Sequence, residues 1–406
     1  MSAALIGVHE SQETYLASFA SLERDARPWL RRLREDALQR FTELGFPTTR
    51  NEDWKYTNLA PWTRIPFERA RQSIQSRDHQ GTVAVKGVTV TTLAEADPQL
   101  VEEYLGRYAG YDNNALVALN TAFLSDGVFI HIPNGVVLDE PIHLVFAGQA
   151  HGLPSVSYVR NLIVLGRNSQ ATIVEEYLGQ ERGVHFTNAV TEMVADEGSI
   201  LEHCKLQKES DRTFHFGALA VQQARSSNFT SHSIALGSAL ARNELRVTLN
   251  GEGAECALNG LYVVTGEQHV DNYTTIDHAT PRSASRELYK GILDGSAQGV
   301  FHGRIIVRKD AQKTDAIQRN KNLLLSEKAV INTKPQLEIY ADDVRCTHGA
   351  TVGQVDPEAV FYLRSRGIAL QEARRLLTYA FASDMIERVK VAPIRSQLME
   401  EVLARL

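Results

Sequence analysis

The strongest constraint on the fold is a long central stretch of short β-rich runs that no helical period interrupts. These runs begin near Leu116, are punctuated by Gly, Asn and Asp, and continue for roughly 230 residues, which predicts an all-β domain. The pattern alone leaves open whether this domain is a large sandwich or a stacked β-solenoid, because no clean repeat is visible. The clearest runs are residues 128–132, 142–146, 162–165, 171–177, 245–249, 261–264, 300–307 and 337–340.

Helical patterns precede the β-rich stretch. A helix is predicted from Pro28, with apolar residues every three to four positions, and Gly45 is a good stop for it. A second helix is predicted over residues 98–108, and two short strands over residues 82–85 and 88–90.

Helical patterns also follow it. Asp356 before Pro357 is typical of an N-cap with proline in the first turn, and Gly367 is expected to end that helix. Residues 370–389 carry a broad apolar face, and Pro393 is expected to open a last helix. These amphipathic helices are expected either to cover the end of the β-domain or to dock a partner.

Composition excludes several classes of protein. The net charge of −6 gives no general attraction to nucleic acid or to anionic lipid, so neither nucleic acid nor a membrane is expected as a partner. Three cysteines are too few for a disulfide framework, which favours a reducing compartment. The N-terminus lacks the pattern of a secretory signal, and no apolar run approaches a membrane span. We therefore expect a cytoplasmic protein.

Cys346 and His348 form the most informative candidate site. Leu337, Ile339 and Ala341 alternate with polar residues, as in a strand. If that strand continues, its period of two places the Cys346 thiol and the His348 imidazole on one side, about 6–7 Å apart. A thiolate beside an imidazole suits iron or zinc, or a thiol activated by its neighbour. The alternative is a small apolar cysteine and a hydrogen-bonded histidine.

The other cysteines are expected to be structural. His203 and Cys204 are adjacent, so on a strand they point to opposite faces, and Cys256 has no partner at ligand spacing. No Gly-Lys step occurs, so no P-loop is present and neither nucleotide binding nor ATP hydrolysis is expected. A basic run from Arg304 to Lys321 is expected to be a solvated β-face. The amide residues Gln318, Asn320 and Asn322 are expected to form a stacked polar ladder.

Motifs along most of the chain resemble one protein family. Residues 337–353, with the segments 356–358 and 361–368 that follow, resemble the C-terminal signature of the SufB/SufD family of iron–sulfur cluster assembly scaffolds. The N-terminal motif RNEDWKYT at residues 50–57, the modest length and the C-x-H pair are most like the SufD members. Two further matching blocks, in the family's order, are residues 128–144 and 312–325.

The resemblance implies a mainly β fold, a right-handed parallel β-helix of about eight to eleven coils flanked by helices. The expected regions are an N-terminal helical region with short strands at residues 1–115, a β-helix core at 116–353 and a C-terminal helical region at 354–406. Trp54 and Tyr56, in the N-terminal motif, are expected to anchor the first region by packing.

The resemblance also implies partners and a cargo. A SufB-like scaffold would bind the C-terminal part of the β-helix, and a SufC-like ABC-type ATPase would bind the C-terminal helices. A transient iron–sulfur cluster, shared with the partner, would form at the SufB–SufD interface. His348 is the first choice for a residue contributing to it and Cys346 the second. No catalytic residue is assigned, and a homodimer is the alternative state of the chain alone.

Two other functions are the alternatives. A purely structural partner would stabilise the SufB-like subunit without binding iron or sulfide. A polysaccharide-active β-helix enzyme would need paired carboxylates in a groove or a calcium site. Asp342 and Asp343 are the only close acidic pair near the signature, and adjacent strand residues diverge, so they make a poor catalytic pair.

Overall fold

The computed structural model describes residues 15–16, 18–20, 27–70, 73–76, 87–124, 127–148, 153–179 and 183–406. The strand expected at residues 82–85 lies outside these ranges. Seven helices are named here among the described residues. They are α1 Pro28–Leu44, α2 Ala60–Thr63, α3 Pro98–Tyr104, α4 Ala115–Ala122, α5 Pro357–Ser365, α6 Leu370–Ile386 and α7 Ala392–Arg405, with a 3-10 turn at Glu52–Trp54.

The strands follow one another in two alternating sheets. They are β1 Glu68–Arg69, β2 Ser73–Ser76, β3 Thr89–Thr92, β4 Val128–Ile132, β5 Ile142–Ala147, β6 Ser155–Leu165, β7 Gln170–Leu178, β8 His185–Ala195, β9 Ile200–Lys208, β10 Thr213–Gln223, β11 Asn228–Ala235, β12 Leu240–Leu249, β13 Glu255–Val264, β14 His269–His278, β15 Ala284–Leu293, β16 Gln298–Val307, β17 Asp315–Leu324, β18 Val330–Ile339 and β19 Arg345–Gly353.

From β4 onward the chain forms a parallel β-helix. The even-numbered strands from β4 to β18 pair in parallel in one sheet, here called sheet A, and the odd-numbered strands from β5 to β19 in the other, sheet B. One strand from each sheet makes a coil, so the described strands β4 to β19 make eight coils. β2 and β3 extend the two sheets in the antiparallel sense at the N-terminal end. The expected mainly β fold with flanking helices is confirmed.

A recurring corner marks six of the eight coils. Between a strand of sheet A and the next strand of sheet B, one residue repeatedly adopts a positive φ, and a small residue follows it. The positive-φ positions are Asn168, Gly198, Ser226, Gly253, Arg282 and Lys313, and the small residues that follow are Ser169, Ser199, Ser227, Ala254, Ser283 and Thr314. Only two of the six positive-φ residues are glycines, so different side chains fill one conformational role and the repeat is hard to see in the sequence. The segment 251–256, which joins β12 to β13, contains one such corner at Gly253.

The interior of the β-helix, here called the lumen, is a continuous apolar core. Residues such as Ile130, Phe146, Ile173, Leu258 and Ile305 line it from both sheets. Their alternation with outward residues is the period of two on which the strand predictions rest.

The N-terminal region covers the outer face of sheet A. Trp62 of α2 packs on Phe186 of β8, with ring centroids 4.6 Å apart, and α4 is buried at every position. The expectation that helical patterns stop near Leu116 is wrong for α4, a short apolar helix whose N-cap Asn114 accepts from the Leu116 and Val117 backbone N–H groups. α1 and its Gly45 stop are confirmed, whereas α3 ends at Tyr104, earlier than expected.

The C-terminal helices cover the outer face of sheet B. Met385 and Ile386 of α6 and Leu398 of α7 pack on outward residues such as Leu206 and Ile292. Lys290 of β15 joins this contact, since its Nζ lies 2.7 Å from Asp384 Oδ2. The expectation that these helices cover the end of the β-domain is therefore wrong. Of the predicted apolar face of α6, Ala373 and Met385 are buried, whereas Leu370 and Leu376 are exposed. No helix in the described ranges has the length and apolarity of a membrane span.

Candidate functional site

The last coil leaves one end of the β-helix open. β18 and β19 are the final strands of sheets A and B, and β19 pairs only with β17. Nearly all residues of β19 are exposed, and apolar side chains such as Val330, Ile339 and Val352 face solvent there. Within the described ranges nothing covers these two edges, which present a row of unpaired backbone N–H and C=O groups.

Cys346 and His348 both lie on β19, but the segment before them belongs to a different strand. Leu337 lies on β18, and the chain turns at residues 340–344 to pass from sheet A to sheet B. The expectation of one strand from Leu337 through His348 is therefore wrong. The same-side placement of Cys346 and His348 survives, because both residues lie within β19 and are separated by two positions.

Both side chains lie on the lumen side of β19. Cys346 is half-buried, packs against the lumen core and is in register with the buried Ala316. His348 is exposed and in register with Gln318, whose side chain is buried in the lumen. The two side chains thus stand at the open mouth of the lumen.

The Cys346 thiol is not activated by its surroundings in this chain. Burial raises the pKa of the thiol, Asp315 raises it further, and a backbone hydrogen bond from Ala316 opposes these effects only partly. The alternative of a thiol activated by its neighbour is therefore not supported. A metal or a partner's charge would have to stabilise the thiolate.

The other cysteines lie in packed surroundings. Cys204 points outward from β9 into the core beneath the C-terminal helices, whereas His203 points into the lumen and contacts Ser231 Oγ at 3.0 Å and Glu175 Oε2 at 3.3 Å. Cys256 faces the lumen core. Burial raises the pKa of both thiols far above the usual range. The predicted opposite orientation of His203 and Cys204 is confirmed.

The polar residues of the last coils follow the predictions only in part. The three amides face the lumen, but their register partners in the neighbouring coils are not amides, and the basic run spans β16 and β17, which belong to different sheets rather than to one face. Gln318, Asn320 and Asn322 all lie in the lumen, and Asn322 Nδ2 donates to Asn320 Oδ1 at 2.6 Å. The basic run is largely paired with carboxylates, as in the bidentate contact of Arg304 with Glu338. Asp343 forms an ion pair with Lys313 at the surface.

The site supplies two donor groups rather than a full ligand set. Among the residues that the structure describes, no group of three or more His, Cys, Asp or Glu side chains is placed to hold a metal ion. A thiol and an imidazole on one strand could supply part of an iron coordination sphere, which in clusters normally needs about four such ligands. The remaining ligands would have to come from another molecule.

A second exposed surface lies on α5. This helix has no buried residue, and two adjacent aromatic side chains, Phe361 and Tyr362, are 74% and 56% exposed. Leu370 and Leu376 of α6 are also exposed. The apolar face expected from the sequence, in residues 370–389, does not include these two aromatic residues. The sequence signal for this surface is a pair of adjacent large aromatic residues in a short helix capped by Asp356.

Comparison with known proteins identifies the family of the chain. Residues 146–381 match the model described as the SufBD core domain of SUF system FeS cluster assembly, and residues 9–82 and 70–144 match the SufBD protein N-terminal region. The chain belongs to the SufB/SufD family. An iron–sulfur cluster assembly SufBD family protein of Synechocystis is 32% identical, covering 92% of this chain and 90% of that protein.

The similarity extends to proteins named SufD. The iron–sulfur cluster assembly protein SufD of Escherichia coli is 31% identical, covering 91% of each chain, and that of Bacillus subtilis is 27% identical, covering 96% of this chain and 97% of that protein. The chain is accordingly a SufD-like subunit of iron–sulfur cluster assembly, and the family expected from the motifs is confirmed.

Proposed function

We propose that this SufD-like subunit pairs with a SufB-like scaffold through the open end of its β-helix and contributes His348, with Cys346 beside it, to a nascent iron–sulfur cluster. The observation that carries the proposal is the position of these two donors on β19, an edge strand at the lumen mouth that pairs with β17 on one side and is unpaired on the other. An edge of this length is a template for pairing with another chain. A partner seated there would bring its own ligands within reach of both side chains.

An incomplete ligand set suits transfer. Two ligands from one subunit would leave a cluster half-coordinated without the partner, so separation or rearrangement of the interface would release it. In this proposal the cluster is the cargo, and the chain carries out no turnover chemistry of its own.

The test is substitution of His348 in the assembled complex. His348→Ala should lower the cluster yield several-fold without preventing assembly, because the exposed ring leaves no core cavity when removed. Thr347→Ala is the matched control, since Thr347 lies on the same strand but faces the opposite side. The measurements are subunit stoichiometry after purification and the iron, sulfide and visible absorption of the reconstituted complex.

A second candidate function is that of a purely structural partner. Its support is that, among the residues that the structure describes, no group of three or more His, Cys, Asp or Glu side chains is placed to hold a metal ion. A normal cluster yield from both His348→Ala and Cys346→Ser complexes would support this function and contradict the first.

For the SufC-like ATPase we propose the surface formed by Phe361, Tyr362, Leu370 and Leu376. The support is its exposed apolar character: α5 has no buried residue, and Leu370 and Leu376 are exposed on α6, which packs against sheet B through other residues. Without a SufB-like partner, the open β18 and β19 edges favour self-association into a homodimer, which light scattering of the purified chain would detect.

A further inference from the structure

A column of lumen side chains leads from the middle of the β-helix to His348. In sheet B, Glu287 of β15 is in register with Gln318 of β17, and Gln318 is in register with His348 of β19. In-register neighbours on adjacent parallel strands lie about 4.8 Å apart and point to the same side. Three polar side chains from successive coils are therefore stacked, with His348 at the open end.

The contact between the two inner members fixes the orientation of the Gln318 amide. Gln318 Nε2 donates to Glu287 Oε2 at 2.7 Å, and both side chains are fully buried. Burial raises the pKa of the Glu287 carboxyl to about 7, and above that pH the ionised carboxylate can only accept, so the amide nitrogen faces Glu287 there. The amide oxygen must then face elsewhere.

The opposite wall of the lumen restricts the same amide. A Cβ added at Gly303 of β16 would lie only 2.3 Å from Gln318 Nε2, so the side chain extends across the lumen against a backbone that lacks a side chain. Gln318 Oε1 is buried and has no hydrogen-bond partner within the described ranges. A buried carbonyl oxygen normally finds a donor, and the next side chain in this column is the His348 imidazole.

We infer that Gln318 is a positioning residue for His348, accepting a hydrogen bond from one imidazole N–H through its Oε1 so that the other ring nitrogen is left free to bind the cargo. A neutral imidazole carries one proton, and an acceptor at one nitrogen keeps that proton there. Glu287 acts one step further away, because its bond to Nε2 keeps Oε1 available. The purpose of this hydrogen bond rests on the proposed function of His348, whereas its geometry does not.

The test observes the tautomer of His348 directly in the cargo-free full chain. Nitrogen NMR of protein labelled with 15N-histidine, at about pH 8 where free imidazole is neutral, separates protonated from unprotonated ring nitrogens. Loss of signals in His348→Ala identifies the resonances. In the unsubstituted chain we expect one tautomer to dominate, with a wide separation between the two nitrogen shifts.

Substitution of Gln318 should release this preference. Gln318→Met keeps the side-chain length without an amide oxygen, so the His348 nitrogen shifts should move towards the averaged values of a free histidine. Asn320→Leu is the matched control, since it removes a buried amide from the same strand at a position in register with Ala350, and it should leave His348 unchanged.

Two outcomes would overturn the inference. One is that His348 in the unsubstituted chain shows the mixture of tautomers found in free histidine. This measurement does not depend on the folding of any variant. The other is an unchanged His348 spectrum in a folded Gln318→Met chain. The cluster yield of the His348→Ala complex tests the proposed function separately, so a fixed tautomer with a normal yield would contradict that function and leave the positioning role intact.

Discussion

The guanidinium carbon of Arg242 lies 3.8 Å from the ring centroid of Trp54 and joins the N-terminal motif to the outer face of sheet A. Arg242 also donates to the Asp53 carbonyl at 2.9 Å and pairs with Asp271. Thr57 Oγ1 donates to Asp271 Oδ2 at 2.5 Å. The motif thus acts by packing and by a buried ionic network, as expected for Trp54.

Trp54→Ala should therefore destabilise the protein by about 3–5 kcal/mol, the usual range for removing a large buried aromatic. Tyr56→Ala is the control. Tyr56 is 41% exposed, so the expectation that it anchors the first region by packing is wrong; the 3-10 turn at Glu52–Trp54 redirects the chain between the two residues and the exposed ring. Urea unfolding followed by circular dichroism would check both variants, and equal losses of stability would contradict the anchoring role of Trp54.

Paired substitution of Phe361 and Tyr362 by serine should weaken ATPase binding at least tenfold without lowering the melting temperature, since neither side chain is buried. Val137→Ser is the control, because Val137 is an exposed apolar residue on a different part of the molecule. Binding would be measured by calorimetry. We prefer these point variants to a deletion of residues 367–406, because the deletion would expose the apolar outer face of sheet B that α6 and α7 cover.

Thiol labelling should distinguish the three cysteines. Cys346 is half-buried, whereas Cys204 and Cys256 are buried in packed cores. A thiol reagent should modify about one thiol per native chain, and this reaction should vanish in Cys346→Ser. All three should react after unfolding. Protection of Cys346 in the complex with a SufB-like partner would support the proposed interface, and full reactivity there would place the interface elsewhere.

The free energy of unfolding should fall in acid, because the Glu209 carboxylate becomes protonated. Burial alone would raise the pKa of this carboxyl, but His215, Thr187 and Gln207 together hold it down to about 2. A pKa below its unfolded value means that the stabilisation is complete above about pH 4.5 and is lost as the pH falls towards 2. Its upper limit is about 3 kcal/mol.

The measurement compares Glu209→Gln with the unsubstituted chain by urea unfolding at about pH 7 and about pH 3. The stability difference should be clearly smaller at the lower pH. Glu197→Gln is the control, since Glu197 is exposed and its contact with Arg225 spans 3.8 Å. A difference independent of pH would contradict the role assigned to Glu209.

Several features that depend on local geometry could be predicted from the sequence. The Pro28 and Gly45 limits of α1, the Asp356 cap and the opposed faces of His203 and Cys204 follow from backbone periods and capping chemistry. Cys346 and His348 share a side for the same reason. The repeat was also present, as a left-handed corner followed by a small residue, but Asn, Ser, Arg, Lys and Gly all serve at that corner.

The tertiary structure decided how distant segments meet. It separated Leu337 from Cys346 into different sheets, because the turn at residues 340–344 closes a coil. It also placed the C-terminal helices against sheet B rather than at the end of the β-helix. By itself, the sequence determined which side chains share a strand face, because that follows from the backbone period of two. Only the stacking of coils brought Gln318 beside His348, because register between strands thirty residues apart depends on every corner between them.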